Sequence, residues 1–298
     1  MKEPLSNLGY LFYNCSNYKV INFYMIDTTF VESMERCFRG CTNLEIINFY
    51  NIQTDNLKNM TAMFYDCNNL MYLDLSNFKT DKVINMNYVF SGCWKLKEII
   101  GLTDFITDNV IDMRSMFYEC GNIIYLDLSN FKTDKVTDMS FMFKDCTNLK
   151  EIKGLTNFVT DNVINMNCMF KGCKNLTFLD LSNFNTSKVI KISHMFSECI
   201  NLKEIKGLNN FNTESADNMK EMFNGCKSLL NLDIPNFKTN IVHDMSAMFK
   251  DCSSLKRLNI NQFEINDHCV TSDIFKGINK INCELITEND NIRNLFDG

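Results

Sequence analysis

Apolar residues return along this chain on two short periods. Val83, Met86, Val89, Phe90 and Cys93 stand three and four apart, a spacing that predicts one apolar helical face. Leu73 and Leu75 alternate with polar neighbours, which predicts a half-buried strand. Asp, Ser and Asn cluster between the two patterns and suit turns. The unit that emerges is a short helix, a turn, a short strand and a loop.

That unit is repeated. The stretch 60-MTAMFYDCNNLMYLDLSNFKT-80 returns in altered form at 113–133 and again at 166–186. Cysteines fall at 15, 41, 67, 93, 120, 146, 173, 199, 226 and 252, in steps of 26 or 27. Phenylalanine stands three residues before each, from Phe12 to Phe249, and Phe275 continues the column. A leucine-like residue stands three after each, from Tyr18 and Leu44 to Leu255, and a threonine column runs from Thr28 to Thr239. A fixed period of this size marks a solenoid, in which no coil can bury its own apolar face without its neighbours. Stacking predicts one parallel sheet with strands about 4.8 Å apart, and a body about 50 Å long. The expected fold is an α/β repeat, a leucine-rich-repeat-like solenoid of ten to eleven coils of 26–27 residues. Its parallel sheet occupies one face and short helices the other. The division expected is one solenoid domain over 1–298, with repeats at about 10–278 and a C-terminal cap at 279–298.

Two kinds of coil alternate through the middle. The short kind ends in LDLSNFKT, as at 73–80; the long kind carries an extra residue and a glycine, as in 96-LKEIIGLTDFIT-107. Gly101, Gly154 and Gly207 are expected to absorb the insertion in a bulge or a turn with positive φ.

Composition narrows the function class. The chain has 298 residues and a net charge of −6 with no basic block, which argues against nucleic-acid binding and against an electrostatic membrane anchor. No apolar run approaches the roughly 18 residues of a membrane-spanning helix. Glu3 and Pro4 stand where a secretory leader would begin its apolar stretch, a reading that favours an intracellular protein.

The fourteen cysteines are the first candidates for chemistry. In-register thiols point the same way, which disulfide torsions disfavour, so the column reads as a reduced structural ladder. Cys37, Cys168, Cys269 and Cys283 lie off the column. Cys37 and Cys41 could share a helical face, but no histidine accompanies them, so a zinc site is not expected. His194, His243 and His268 are scattered, and no triad-like spacing appears. No cofactor, metal or catalytic group is assigned, and the chain is not expected to be an enzyme. The threonine column is expected to serve helix capping or turn bonding rather than an ice-binding-like ladder, since each coil has one such threonine among bulky residues.

Two strand columns should face outward, because they flank buried residues. Five residues after the cysteines, Tyr72, Glu98, Tyr125, Glu151, Phe178 and Glu204 alternate aromatic with acid. Seven after, Asp74 is followed by Ile100, and then Asp127, Lys153, Asp180 and Lys206 alternate in charge. One reading is cross-strand charge pairing. The other is a binding face, with Tyr72, Asp74, Glu98, Tyr125, Asp127, Glu151, Lys153, Phe178, Asp180 and Glu204 taking a protein or glycan.

The string F-x-x-C-x-x-L-x-x-L-x-L, as in Phe64, Cys67, Leu70, Leu73 and Leu75, resembles the BspA-like leucine-rich repeats. Its longer form, with methionines before it and LSNFxT after it, resembles the DUF285 repeats of BspA-type surface proteins. Phe78, Phe131 and Phe184 stand where the usual leucine-rich-repeat asparagine would be. The resemblance covers about residues 10–278 and implies a right-handed solenoid with a strand face and a helical face. It also implies a cell-surface, adhesion-type protein, against the intracellular reading of the N-terminus. A further expectation concerns the first coil, where Val20, Ile21 and Phe23 would lie at an open end and invite end-to-end self-association.

Overall fold

The structure, a computed structural model, describes residues 5–24 and 26–298; Glu3 and Pro4 lie outside them. Eleven short strands follow one another, one per coil: β1 (Val20–Phe23), β2 (Ile46–Phe49), β3 (Tyr72–Asp74), β4 (Glu98–Ile100), β5 (Tyr125–Asp127), β6 (Glu151–Lys153), β7 (Phe178–Asp180), β8 (Glu204–Lys206), β9 (Asn231–Asp233), β10 (Arg257–Asn259) and β11 (Glu284–Ile286). All pairing is parallel and joins successive coils, as in Tyr72↔Glu98, Leu73↔Ile99 and Asp74↔Ile100. The molecule is therefore a parallel solenoid, as the period predicts.

The strands do not form the single sheet expected. They form β1–β2, β3–β4, β5–β6, β7–β8 and the triplet β9–β10–β11. Three of the breaks, between β4 and β5, β6 and β7, and β8 and β9, follow the long coils. There Gly101, Gly154 and Gly207 take left-handed φ values of 82°, 86° and 92° and lead into tight turns at Leu102–Asp104, Leu155–Asn157 and Leu208–Asn210. A Cβ on Gly101 would come within 2.5 Å of the Ser76 backbone in the coil before. The glycine thus lets the long coil press back on its own partner, and the extra residue leaves no register for the next strand. At the break between β2 and β3, which has no insertion, the left-handed residue is Asn51 (φ 54°).

The opposite flank carries the larger correction. The helices expected there are absent, and the α-helix among the described residues is α1 (Asp290–Asp297) near the C-terminus. Residues 86–93 instead run through successive tight turns. Ser91 N–H donates to Tyr88 O and Cys93 N–H to Phe90 O, while Met86, Tyr88, Phe90 and Gly92 donate into the next coil, to Asp112, Arg114, Met116 and Tyr118. Tyr88 (φ 58°) and Gly92 (φ 73°) are left-handed, as are the equivalent residues of the other coils. A left-handed residue every fourth position cannot belong to an α-helix. Turns repeated every four residues nevertheless place side chains inward at intervals of three and four, which is why the apolar pattern imitates a helix. This flank is bonded without a break: bridges run from Asn7↔Ser33 through Asn85↔Asp112 to Asp244↔Val270.

Inside, the columns become ladders. Stacked phenylalanines from Phe12 to Phe275 have centroids 5.4–6.0 Å apart. Each column thiol from Cys41 to Cys252 meets the carbonyl of the phenylalanine one coil back, as Cys93 Sγ does at Phe64 O (3.1 Å). A second phenylalanine column, beyond the strands, is spaced more widely at 6.2–6.5 Å for Phe158–Phe184, Phe211–Phe237 and Phe237–Phe263. The coils are thus drawn together along the turn flank and eased apart along the strand flank.

At the first coil, Ile21 and Phe23 are buried, contrary to the expectation of an open end built on them. Strand alternation turns both inward, and Phe23 packs edge-on against Phe38. The exposed members of core columns there are Leu11 and Tyr18, with Val20 on the outer face. At the other end α1 lies over the last coil; Asn289 caps it by accepting from Asn291 N–H and Ile292 N–H, and Phe296 stands edge-on to Phe275.

Candidate binding face

From β3 to β10 each three-residue strand contributes one inward residue between two outward ones. In β3 the pattern is Tyr72 out, Leu73 in, Asp74 out. All ten residues singled out from the sequence fall at outward positions, with Asp127 and Asp180 half-covered. Tyr72, Tyr125 and Phe178 keep 54%, 46% and 47% of their surface exposed, more than an aromatic ring in a core could. The register sets Tyr72 beside Glu98, Tyr125 beside Glu151 and Phe178 beside Glu204.

In the second column, Asp127 binds Lys153 at 2.8 Å and Asp180 binds Lys206 at 3.0 Å, so the cross-strand charge pairing is present. The Lys153 ammonium, with bonds from Ser129, holds the Asp127 carboxyl well below the usual carboxylate range. Asp180 is lowered chiefly by Ser182, whose N–H donates at 3.0 Å, with Lys206 adding to it. Asp74 is lowered by Ser76 alone, whose N–H and Oγ–H donate at 2.9 and 2.6 Å; its neighbour on the next rung is Ile100, not a lysine.

The structure brings the ten residues together in groups of three, four and three on successive strand pairs rather than as one row, because the sheet is segmented. Between the pairs lie grooves. The largest, of about 770 Å³, runs between β4 and β5 and is lined by Tyr72, Lys97, Ile99, Ile100, Ile124 and Tyr125 among others. A smaller one of about 320 Å³ lies between β6 and β7, beside Glu151 and Phe178. Lys97 Nζ lies 5.9 Å from the Tyr72 ring centroid, a cation–π contact. Sequence reasoning missed Lys97 and Ile124, because strict alternation turns that column inward. Its polar members Lys97, Lys150, Thr177 and Lys203 carry the contrary signal.

Other reactive groups do not converge. Burial pushes the Cys37 thiol up to about 12, and burial also lowers His194, whose Nδ1 lies 3.2 Å from Glu221 on the turn flank. Among the described residues no three His, Cys, Asp or Glu side chains gather around a common point. No helix is long and apolar enough to cross a membrane.

The chain is similar to several solved leucine-rich-repeat structures. A leucine-rich cell surface protein from Faecalibacterium prausnitzii is 16% identical, with 94% of this chain and 76% of that one covered and a TM-score of 0.46. A leucine-rich repeat protein from Bacteroides ovatus is 18% identical, with 95% and 78% covered and a TM-score of 0.46. An internalin from Listeria monocytogenes is 16% identical, with 85% and 69% covered and a TM-score of 0.30. No curated protein matches the sequence. Three overlapping stretches, residues 6–123, 95–204 and 174–289, match the family described as "Mycoplasma protein of unknown function, DUF285". Together they span nearly the whole chain, which therefore belongs to the DUF285 family.

Proposed function

We propose that this solenoid is a non-enzymatic, adhesion-type scaffold that holds a protein or glycan partner on its strand face. The observation that carries the reading is the row of half-exposed rings, Tyr72, Tyr125 and Phe178, each beside a glutamate and repeated every second coil. The continuous bonding of the turn flank repeats the rings at a regular interval along the stack, which supports recognition of an extended partner. Exposed aromatics of this kind are the usual anchors of protein interfaces, and their flat faces also suit sugar rings. The test compares the wild-type chain with a Tyr72→Ala, Tyr125→Ala, Phe178→Ala variant as bait for source-cell and host-cell extracts and on a glycan array. Partners retained by the first and lost by the second support the face. Identical profiles, with an unchanged thermal unfolding curve, remove it.

A second reading, self-association through the first coil, rests on Leu11 and Tyr18. They are 45% and 56% exposed where later members of their columns are buried. Leu11→Asp with Tyr18→Asp would then shift the sedimentation coefficient of a self-associated wild type to that of a monomer.

A further inference from the structure

The groove between β4 and β5 differs from its counterparts in a way that points to one class of occupant. In the two later repeats an aspartate on the first strand is neutralised by a lysine on the second, Asp127 by Lys153 and Asp180 by Lys206. In the first repeat the lysine position holds Ile100, 44% exposed. This single exchange adds apolar surface to the groove and leaves the Asp74 carboxylate with no ion pair among the described residues. Ser76 takes Asp74 Oδ1, and Oδ2 is free. Ile124, 55% exposed, faces the same space from the other wall, between Tyr72 and Tyr125.

The walls also offer backbone. Leu75 N–H donates to Ile100 O, and Leu128 N–H to Lys153 O. Backbone groups alternate sides along a strand, so the N–H and C=O of Ile99 turn into the groove from β4, and those of Tyr125 and Asp127 turn into it from β5. No strand pairing joins β4 to β5, so these groups form two open edges facing each other. An open strand edge is matched by the linear donor and acceptor pattern of an extended peptide, with side-chain pockets adding selectivity.

We infer that the β4–β5 groove binds an extended peptide segment that sets apolar side chains against Ile100, Ile124, Tyr72 and Tyr125, with a lysine or arginine reaching past Ile100 to Asp74, which stands on β3 beside the groove's lining. A sugar would leave Ile100 and Ile124 facing hydroxyl groups. The inference rests on the strand-face reading and narrows its partner to peptide.

The test uses the full chain and an array of acetylated, amidated octapeptides of randomised sequence, with fluorescence polarisation on those selected. Selected peptides should pair apolar residues with a lysine or arginine. Ile100→Lys, which restores the residue found at positions 153 and 206 and so keeps the fold, should weaken them roughly tenfold or more. Asp74→Asn should weaken basic peptides and leave their norleucine-substituted versions unchanged. Methylating backbone nitrogens should weaken binding in either phase of the alternation, because one phase faces β4 and the other faces β5. The proposal is overturned if no octapeptide is selected, or if selected peptides bind Ile100→Lys as tightly as wild type. Glycan binding that Ile100→Lys abolishes, with no peptide selected, also overturns it and assigns the groove to a sugar. The broader strand-face reading is judged separately. If the triple alanine variant loses its partners while Ile100→Lys keeps them, the groove fails and the face stands.

Discussion

The threonine column shows how much one hydroxyl can do in a stack of coils. Thr133 is buried; its Oγ1 accepts from Val159 N–H at 2.8 Å and donates to Val159 O at 2.8 Å. Equivalent pairs of bonds join Thr54 to Lys79, Thr80 to Ile106, Thr107 to Lys132, Thr160 to Asn185, Thr213 to Lys238 and Thr239 to Glu264. The sequence suggested turn bonding, and Val136 N–H does donate to Thr133 O, but the hydroxyl's own work is between coils. Thr133→Val keeps the shape and leaves two backbone groups of the next coil unsatisfied, so it should cost about 2–4 kcal/mol in urea unfolding. Thr133→Ser keeps both bonds and loses a methyl group, a cost of about 1 kcal/mol. Equal losses in the two variants would deny the hydroxyl this role. The acidic column makes a second prediction at this scale. Asp127 is depressed by Lys153, whereas Asp74 has only Ser76, so Asp127 should titrate below Asp74 by NMR. Lys153→Ile should raise Asp127 toward the ordinary value. A carboxyl depressed on folding stabilises the fold above its unfolded pKa of about 3.9, and that contribution is lost as pH falls through the folded value. The pair is exposed, so its effect on stability is small and the titration itself is the measurement.

At the scale of the element, glycines separate two demands that a sequence column merges. Gly101 has φ 82° and lies where a Cβ would strike the Ser76 backbone at 2.5 Å. Gly225 has φ 73° but no clash, a Cβ there meeting Glu198 at an ordinary 3.6 Å. Gly121 has no left-handed φ, and a Cβ there would make only ordinary contacts, with the Thr147 side chain at 3.4 Å and Trp94 O at 3.9 Å. Alanine should therefore cost more than about 3 kcal/mol at 101, where backbone clash adds to strain, and about 1–2 kcal/mol at 225. At 121 the change should stay within about 0.5 kcal/mol. Thermal unfolding of the three variants checks the order, and a benign Gly101→Ala would show that the long coil is not held against its neighbour. The same reasoning explains what could be read in advance. Period, strand positions and outward columns follow from burial, which apolar spacing reports directly. The turn flank was misread because intervals of three and four serve repeated turns as well as a helix. The residue before the cysteine held the corrective signal in most coils: Asn14, Gly40, Asp66, Gly92, Asp145, Gly172, Gly225 and Asp251, with Gly277 before Ile278, are types that tolerate left-handed φ, whereas Glu119 and Glu198 are not. The other left-handed position, occupied by residues as unlike as Tyr88, Phe141, Cys168 and His194, carried none, because inter-coil bonding imposes that conformation whatever the side chain.

For the whole molecule, the two flanks are bonded differently, and this decides where the solenoid can yield. Bridges continue along the turn flank from Asn7 to Val270, and alternate N–H groups there enter the next coil, as those of Met86, Tyr88, Phe90 and Gly92 do. On the strand flank the strands are paired only within four pairs and one triplet. Three of the four breaks were present in the sequence as steps of 27 rather than 26, but a step length does not say which contact gives way, and the break between β2 and β3 has no such mark. The structure places the break beyond the glycine, on the side of the next strand. Amide hydrogen exchange should reproduce this pattern, since protection tracks bonded backbone groups and local opening. Met86, Tyr88, Phe90 and Gly92 should be protected along with their equivalents in every inner coil. On the strand flank, protection should alternate by residue: Leu126 and Leu128 slow, Tyr125 and Asp127 fast. Uniform protection across β4, β5, β6 and β7 would mean that the sheet closes in solution and the grooves do not persist. With alternating protection, a peptide seated between β4 and β5 should slow Ile99, Tyr125 and Asp127 selectively and leave the turn flank as it was. A ligand held only by the aromatic rings would leave those three amides fast.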